Sequence, residues 1–471
     1  MYQIDFHNPI RVYFCGIGGI SMSGLAEILK SKGFSVSGSD RDESAVTKHL
    51  RENGIPVSTP QKAENITDDI DLVVFTAAIH EDNPEYIAVR KKNIPSLSRA
   101  ELLGEMMKNY TLPVAIAGTH GKTTTTAMVS DILLQAEADP TLSIGGNLLS
   151  IGGNVRIGSD DFFVAEACEY TNSFLSFFPK IGVILNIEED HLDFFKDLAD
   201  IRHSFRQFAL RLPEDGCLVI NRDIPQVEEI TDGLPCRVVT FGSTVEADYC
   251  AAGISYDEKG LPSFTLITDK SALLKKHVEI VAPKTQEFTL GVVGEHNIYN
   301  ALSAIAVADL CGVDRADTRE ALLHYRGTER RFQYYGERNG FTVIDDYAHH
   351  PTEISATLNA AKNYPHRKLF VVFQPHTYTR TRALLPEFAD ALSAADVVIM
   401  ADIYAARETD TLGISSAIVA EEIGKRGTES HYFPSFAEIE AYLLEHCGKN
   451  DLLITMGAGN VDTIAKNLMQ H

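Results

Sequence analysis

The chain is short of positive charge: 42 Lys and Arg residues face 65 Asp and Glu, a formal net charge of -23 over 471 residues. It therefore lacks the basic face that nucleic-acid phosphates and anionic membranes demand, and neither is expected as a partner. Small anions can still be held at local basic spots. Also missing is any run of the ~18 to 20 uninterrupted apolar residues that crosses a bilayer. The opening residues, Met1-Tyr2-Gln3-Ile4-Asp5, carry neither the basic patch nor the apolar core of a secretory signal, which argues against export. Seven cysteines, at positions 15, 168, 217, 236, 250, 311 and 447, form no C-x-x-C pair and are odd in number. Such usage suits a reducing cytosol, and a cytoplasmic location is expected. There is no repeat of solenoid period and no low-complexity tract.

What is present describes an ordinary soluble globular protein, 44% hydrophobic and 23% charged. The length suits roughly three domains of ~150 residues each. Three stretches each begin a new strand-helix alternation. The first opens with Arg11 to Cys15, a glycine loop and a helix from Leu25 to Lys32, followed by strands at Phe34–Gly38 and Leu72–Thr76. The second starts near Tyr110 and includes strand-like segments at Phe162–Glu166 and Ile181–Asn186. The third follows Arg331, with strands at Phe341–Asp346, Lys368–Phe373, Asp396–Met400 and Asp451–Met456. The pattern predicts three successive α/β domains with mostly parallel sheets, whose ligands sit at the loops after strand C-termini.

One of those loops reads as a phosphate cradle. The apolar segment Val114 to Ala117 runs into Gly118-Thr119-His120-Gly121-Lys122-Thr123-Thr124, and a helix-like segment follows. Backbone N–H groups of a glycine turn and the positive end of a helix both favour anionic oxygens. Lys122 brings a charge for the terminal phosphates and Thr123 a hydroxyl for Mg²⁺. The common pattern G-x-x-x-x-G-K-[ST] requires glycine where this chain has Ile116, so the loop is a shortened form. Mg²⁺ needs further hard oxygen ligands, and Glu166, at a strand end, is the leading candidate. His191 is placed either to ligate or border a second ion or to act as a capping or core histidine. Glu188, Glu189 and Asp190 read as an acidic helix start.

The first glycine loop, Gly16-Ile17-Gly18-Gly19-Ile20-Ser21, breaks the dinucleotide fingerprint, because its third glycine falls at Ser21. Diphosphate binding at a helix N-terminus and a purely structural turn both remain open, with Asp40 placed to accept bonds from a ribose or base. Farther on, Gly294-Glu295-His296-Asn297 enters an alanine-rich helix; Asn297 suits either adenine recognition or an ordinary cap.

Taken together, Gly118 to Thr123, Glu166, Asn186 to His191, Gly294 to Asn297, Gly327-Thr328-Glu329-Arg330-Arg331-Phe332, Asp345-Asp346-Tyr347-Ala348-His349-His350-Pro351-Thr352-Glu353 and Phe373-Gln374-Pro375-His376 resemble the Mur ligase family, in the family's order over nearly the whole chain. The resemblance implies a Rossmann-like UDP-sugar-binding domain over 1–108, a central P-loop ATPase-like domain over 109–325 and a Rossmann-like amino-acid-binding domain over 326–471. It implies ATP-dependent joining of L-alanine to the lactyl carboxylate of UDP-N-acetylmuramate through an acyl phosphate, with ATP and Mg²⁺ required, by a monomer or homodimer. The carry-over assigns Gly16, Gly18, Gly19, Ser39, Asp40, Thr76, Ala77 and Ala78 to the UDP-sugar. Gly118, Thr119, His120, Gly121, Lys122, Thr123, Thr124, His296, Asn297, Arg331 and Asp345 fall to ATP, and Thr123, Glu166 and His191 to metal. Tyr347, His349, His350 and Arg380 fall to the amino acid, with Lys122, His191, His349 and Arg380 catalytic. The separate sites are expected to close together on binding.

The chain departs from the family in places. Glu166-Ala167-Cys168-Glu169-Tyr170-Thr171 stands where many members have Glu-Ala-Asp-Glu-Ser-Asp, and Thr377 stands where an arginine is common. Phe205 occupies the place of the lysine that related ligases carbamoylate, so no carbamate is expected. A recycling ligase that attaches a preformed peptide to the same nucleotide sugar, and a non-catalytic nucleotide-binding regulator, are the alternatives.

Overall fold

A computed structural model describes residues 2–192, 194–268, 284–406, 408–409 and 412–470. Their contacts divide them into two compact units, one mainly Met1–Cys250 with Asn300–Ala321, the other mainly Leu322–His471 with Ala251–Leu266 and Thr285–Tyr299. Three sheets carry the α/β architecture.

In the first sheet, β1 (Arg11–Cys15), β2 (Ser35–Ser39), β3 (Val57–Ser58), β4 (Leu72–Phe75) and β5 (Ser96–Ser98) lie in the order β3-β2-β1-β4-β5, every neighbour parallel. Four of the five β1 residues are buried, as expected of a strand covered on both faces. The chain leaves β1 toward β2 on one side and later returns to β4 on the other. The loops after β1 and β4 therefore flank the crevice where such sheets bind ligands.

The ten-stranded second sheet includes β6 (Leu112–Ala117), β7 (Thr141–Leu148), β8 (Gly153–Arg156), β9 (Phe162–Glu166), β10 (Ile181–Ile184), β11 (Cys217–Asn221), β12 (Arg237–Gly242) and β13 (Tyr249–Tyr256), in the order β13-β12-β11-β10-β6-β9-β7-β8. Only the β7–β8 pair in that series is antiparallel. Central β6 lies between β10 and β9, so the phosphate loop emerges with Glu166 on one side and Asn186 on the other. These two sheets share one continuous hydrophobic core, from Ile4 and Phe14 through Phe163 and Phe174 to Cys236. Their contact is close at Gly104, where an added Cβ would lie 1.9 Å from the Ser176 carbonyl oxygen. Phe205 is a fully buried core residue, edge-on to Phe174. The acidic run 188–190 is not a helix start; the next helix is Leu198–Ala209, capped by Asp197. Glu188 instead donates its N–H to Thr119 Oγ1 at 2.9 Å, a tertiary bond that competes with local helix formation.

After β14 (Pro262–Thr268) and β15 (Lys284–Thr289), the third sheet comprises β16 (Gln333–Arg338), β17 (Phe341–Asp346), β18 (Leu369–Phe373), β19 (Val397–Met400), β20 (Glu429–Tyr432) and β21 (Leu452–Met456), ordered β16-β17-β21-β18-β19-β20. All but the β16–β17 pair are parallel. Alternate residues of β18 feed two cores: Leu369, Val371 and Phe373 pack on one face, Phe370 and Val372 on the other. The last strand, β21, inserts between β17 and β18, which places Asp345, Asp346 and the turn at Gly457 beside one another. No helix among the described residues is long and apolar enough to cross a membrane.

Candidate active site

In the first unit the phosphate loop is held open by glycine geometry. Gly118 and Gly121 take φ of +147° and +81°, and a Cβ on Gly121 would sit 2.5 Å from Asn300 Oδ1. Asn186, at the end of β10, accepts the His120 N–H at 2.7 Å and donates to the His120 carbonyl at 3.1 Å, fixing the loop crest. Lys122 opens the helix Lys122–Gln135. Its ammonium donates to the carbonyls of Gly118 at 2.5 Å and Thr119 at 3.0 Å, and to Glu169 Oε2 at 3.0 Å. Burial works against this charge, but Glu169, Cys168 and Glu166 together outweigh it and hold the lysine above its ordinary value. Thr123 donates its hydroxyl to Glu166 Oε2 at 2.8 Å, and the Gly145 N–H binds the same oxygen at 3.0 Å. A hydroxyl and a carboxylate oxygen side by side at a phosphate loop are the donor types that Mg²⁺ prefers. His191, at φ +54°, stacks on Tyr170 with centroids 4.5 Å apart, and its Nε2 lies 3.9 Å from Glu169 Oε1.

The crevice of the first sheet brings its predicted residues together. Gly16 and Ile17 donate to the Ser39 carbonyl, and Gly18 donates to Asp40 Oδ2 at 2.8 Å. A Cβ on Gly16 would meet Thr76 Cγ2 at 2.4 Å, and one on Gly18 would meet Asp40 Oδ2 at 2.8 Å. Gly19 immediately precedes the helix Ile20–Ser31, while Ala77 and Ala78 are exposed in the turn after β4. The Ser39 hydroxyl does not face that crevice freely: it donates to the buried Glu85 at 2.5 Å, which also accepts from Tyr13.

The second unit assembles a third cluster. Arg330, at φ +61°, donates from Nε to Asp345 Oδ2 at 2.9 Å and from its two Nη groups to the Gly459 and Gly457 carbonyls. Thr455 binds the other Asp345 oxygen at 2.5 Å. Burial pushes this carboxyl up to about 6 against the pull of Arg330. Asp346 is likewise raised by burial and accepts the N–H groups of Phe332 and Ala348, both at 2.8 Å. The Tyr347 ring lies 5.0 Å from the Arg330 guanidinium and 5.3 Å from that of Arg331. His349 Nδ1 sits 3.1 Å from the Tyr347 carbonyl and 3.3 Å from Glu353. His350 caps the helix Pro351–Lys362, accepting the Thr352 N–H. Arg380 lies near enough to His349 and His376 for its charge to disfavour protonation of both. Asn297 is buried and donates its side-chain amide N–H to the Val293 carbonyl, four residues earlier, at 2.8 Å.

Burial lowers both His296 and His349 to about 4, with the charge of Arg331 adding to the effect at each. Their imidazole resonances are expected to titrate near pH 4, where an ordinary histidine titrates at ~6.5. Folding stability from these two is then complete above ~6.5 and is lost as pH falls through about 4. Asp345, raised, acts oppositely: its contribution is complete below ~3.8 and fades as pH rises through about 6. NMR titration with His296→Gln and His349→Gln to assign the signals checks this; midpoints above 6 would refute it.

The sequence matches three family profiles in register with these sheets: Mur ligase family, catalytic domain, over residues 11–111; Mur ligase middle domain over 116–308; and Mur ligase, glutamate ligase domain, over 330–459. The chain belongs to the Mur ligase family. Its full length is 57% identical to a UDP-N-acetylmuramate–L-alanine ligase of Lachnospira eligens, and 54% to that of Agathobacter rectalis, each covering 100% of both chains. Among solved Mur ligase structures, the UDP-N-acetylmuramate–alanine ligase of Thermotoga maritima is 30% identical with a TM-score of 0.79, covering 98% of each chain. A murein peptide ligase of Psychrobacter arcticus shares the fold at 23% identity and a TM-score of 0.67, again over 98% of each chain.

Sequence reasoning gave no role to four side chains that the structure places within these clusters, Glu169 and Tyr170 in the first unit and Arg330 and Glu353 in the second. Glu169 lies only three residues past Glu166, but the altered neighbours Cys168 and Thr171 obscured it. Tyr170, Arg330 and Glu353 gain their places only through contacts distant in sequence or across a turn. The seven cysteines are all free thiols.

Proposed function

We infer that this protein is an ATP-dependent ligase that joins L-alanine to the lactyl carboxylate of UDP-N-acetylmuramate, releasing ADP and phosphate, in peptidoglycan precursor synthesis. The observation that carries the reading is the 57% identity to such a ligase over all 471 residues, with Lys122, Thr123 and Glu166 gathered at one phosphate loop. A free carboxylate is a poor electrophile, so ATP first phosphorylates it and the amine then displaces phosphate through a tetrahedral intermediate. Lys122 and the loop N–H groups offset charge spreading over the transferring phosphoryl oxygens. Thr123 and Glu166 would hold one Mg²⁺ and His191 a second, supplying further offset of phosphate charge. The diphosphate of the sugar nucleotide lies on the Gly16–Gly19 turn, with Asp40, Thr76, Ala77 and Ala78 around it.

Tyr347, His349, His350 and Arg380 receive the amino acid, Arg380 pairing with its carboxylate. His349, neutral at pH 7 because its value is lowered to about 4, offers a ring nitrogen to an N–H of the amine while Nδ1 is engaged by Tyr347 and Glu353. His296, Asn297, Arg331 and Asp345 border the nucleotide. The functional domains are assigned to 1–108, 109–325 and 326–471, acting in the cytoplasm as a monomer or homodimer. Phosphate release is measured with ATP, Mg²⁺, UDP-N-acetylmuramate and each of L-alanine, glycine, L-serine or a tripeptide. L-alanine is expected to give the highest kcat/KM; preference for the tripeptide would replace this reading with peptide recycling, and silence with every acceptor would end it.

A further inference from the structure

The Lys122 ammonium has three N–H donors, and all three are taken: two by the Gly118 and Thr119 carbonyls of its own loop and one by Glu169. A nucleotide phosphate that reaches Lys122 must displace one of them. The carbonyls belong to the loop that cradles the phosphate, so Glu169 is the exchangeable partner. Glu169 cannot simply be abandoned, since its side chain is only 2% exposed and an unpaired buried carboxylate is strongly unfavourable. A second partner waits nearby. His191 Nε2 is 3.9 Å from Glu169 Oε1, the oxygen that already lies 3.3 Å from Lys122. Tyr170, adjacent in sequence, stacks on the His191 ring at an interplanar angle of 27° and sets its plane.

We propose that Glu169 is a positioning residue that occupies the phosphate's place on Lys122 and, when a nucleoside triphosphate binds, transfers its hydrogen bond to His191. An Nε2–H bonded to Glu169 leaves the lone pair on Nδ1, so nucleotide occupancy selects the tautomer of His191. The ring stays neutral: where the proton begins on Nδ1, that N–H bond breaks to solvent as a proton from solvent forms the Nε2–H bond, with no net proton gained or lost. The consequence is order: the half of the site around His191 becomes set only after the triphosphate has arrived. The inference rests on the ATP-dependent reading above but not on which amine is the acceptor.

The test uses the full chain with ATP in EDTA, without sugar nucleotide or amino acid, so an incorrect acceptor assignment leaves its outcome untouched. In E169Q the competing charge is gone while the shape is kept. ATP affinity by calorimetry is expected to rise roughly tenfold, and under turnover the KM for ATP falls together with kcat. ATP should move the ¹⁵N shifts of the His191 ring in the wild type toward the Nε2–H tautomer and leave them unmoved in E169Q. E169D, which keeps the charge, should restore the shift. Unchanged or weakened ATP binding in E169Q overturns the proposal, because a merely structural glutamate predicts that. If E169Q fails to fold, the wild-type measurement decides alone: a His191 signal that ignores ATP refutes the exchange.

Discussion

Lys122→Ala is expected to abolish phosphate release, lowering kcat by at least ~10³-fold, because one preorganised charge at the transferring group is worth ~10² to 10³ or more. The glycine turn alone suggests that folding would be unaffected. The structure amends that, since Lys122 and Glu169 form a buried pair with side-chain exposures of 13% and 2%. Removing the cation strands a buried carboxylate, and the single variant should also unfold at lower temperature. The double variant Lys122→Met with Glu169→Gln removes both charges at nearly constant volume. It is expected to regain most of the lost stability and none of the activity, as read by thermal melts and a phosphate-release assay. Substantial turnover by either variant would refute the phosphoryl role of Lys122.

Arg330→Met is expected to have the largest effect on stability. The arginine ties together three separate pieces of the second unit: its own turn before β16, Asp345 at the end of β17, and the Gly457 and Gly459 carbonyls after β21. Asp345 is fully buried, and losing one partner of such a pair costs ~3 to 5 kcal/mol, much of it the unpaired charge. A carboxyl already raised to about 6 rises further when its cation is removed, so the variant should be most deficient near pH 8 and partly recover toward pH 5. Urea unfolding at the two pH values measures this. Adding Asp345→Asn should recover much of the loss; no recovery, or a loss independent of pH, would show that Arg330 acts through packing rather than charge. Activity should fall as well, because the Tyr347 ring loses the Arg330 guanidinium that lies 5.0 Å from it.

Much of the molecule was legible before folding. The strands Arg11–Cys15 and Phe341–Asp346 stood out because buried parallel strands are continuous apolar runs, and the structure has the same limits. The phosphate loop was legible because its chemistry is local: glycines, a lysine and a threonine act through consecutive backbone groups. The acidic run at 188–190 misled for the same reason, since helix-start patterning is a local signal and Thr119 supplied a nonlocal bond that overrode it.

The sequence by itself determined the class of fold, the order of the three α/β stretches and the position of the glycine turns after β1 and β6, all of which depend on short-range periodicity and backbone freedom. Only the tertiary structure decided how charges are shared. That Lys122 rests on Glu169, that Arg330 serves Asp345, and that His349 is kept neutral beside Glu353 follow from strand order and burial. Coulombic partners are set by distances through space and by the water excluded around them, and neither quantity is written in the spacing of residues along a chain.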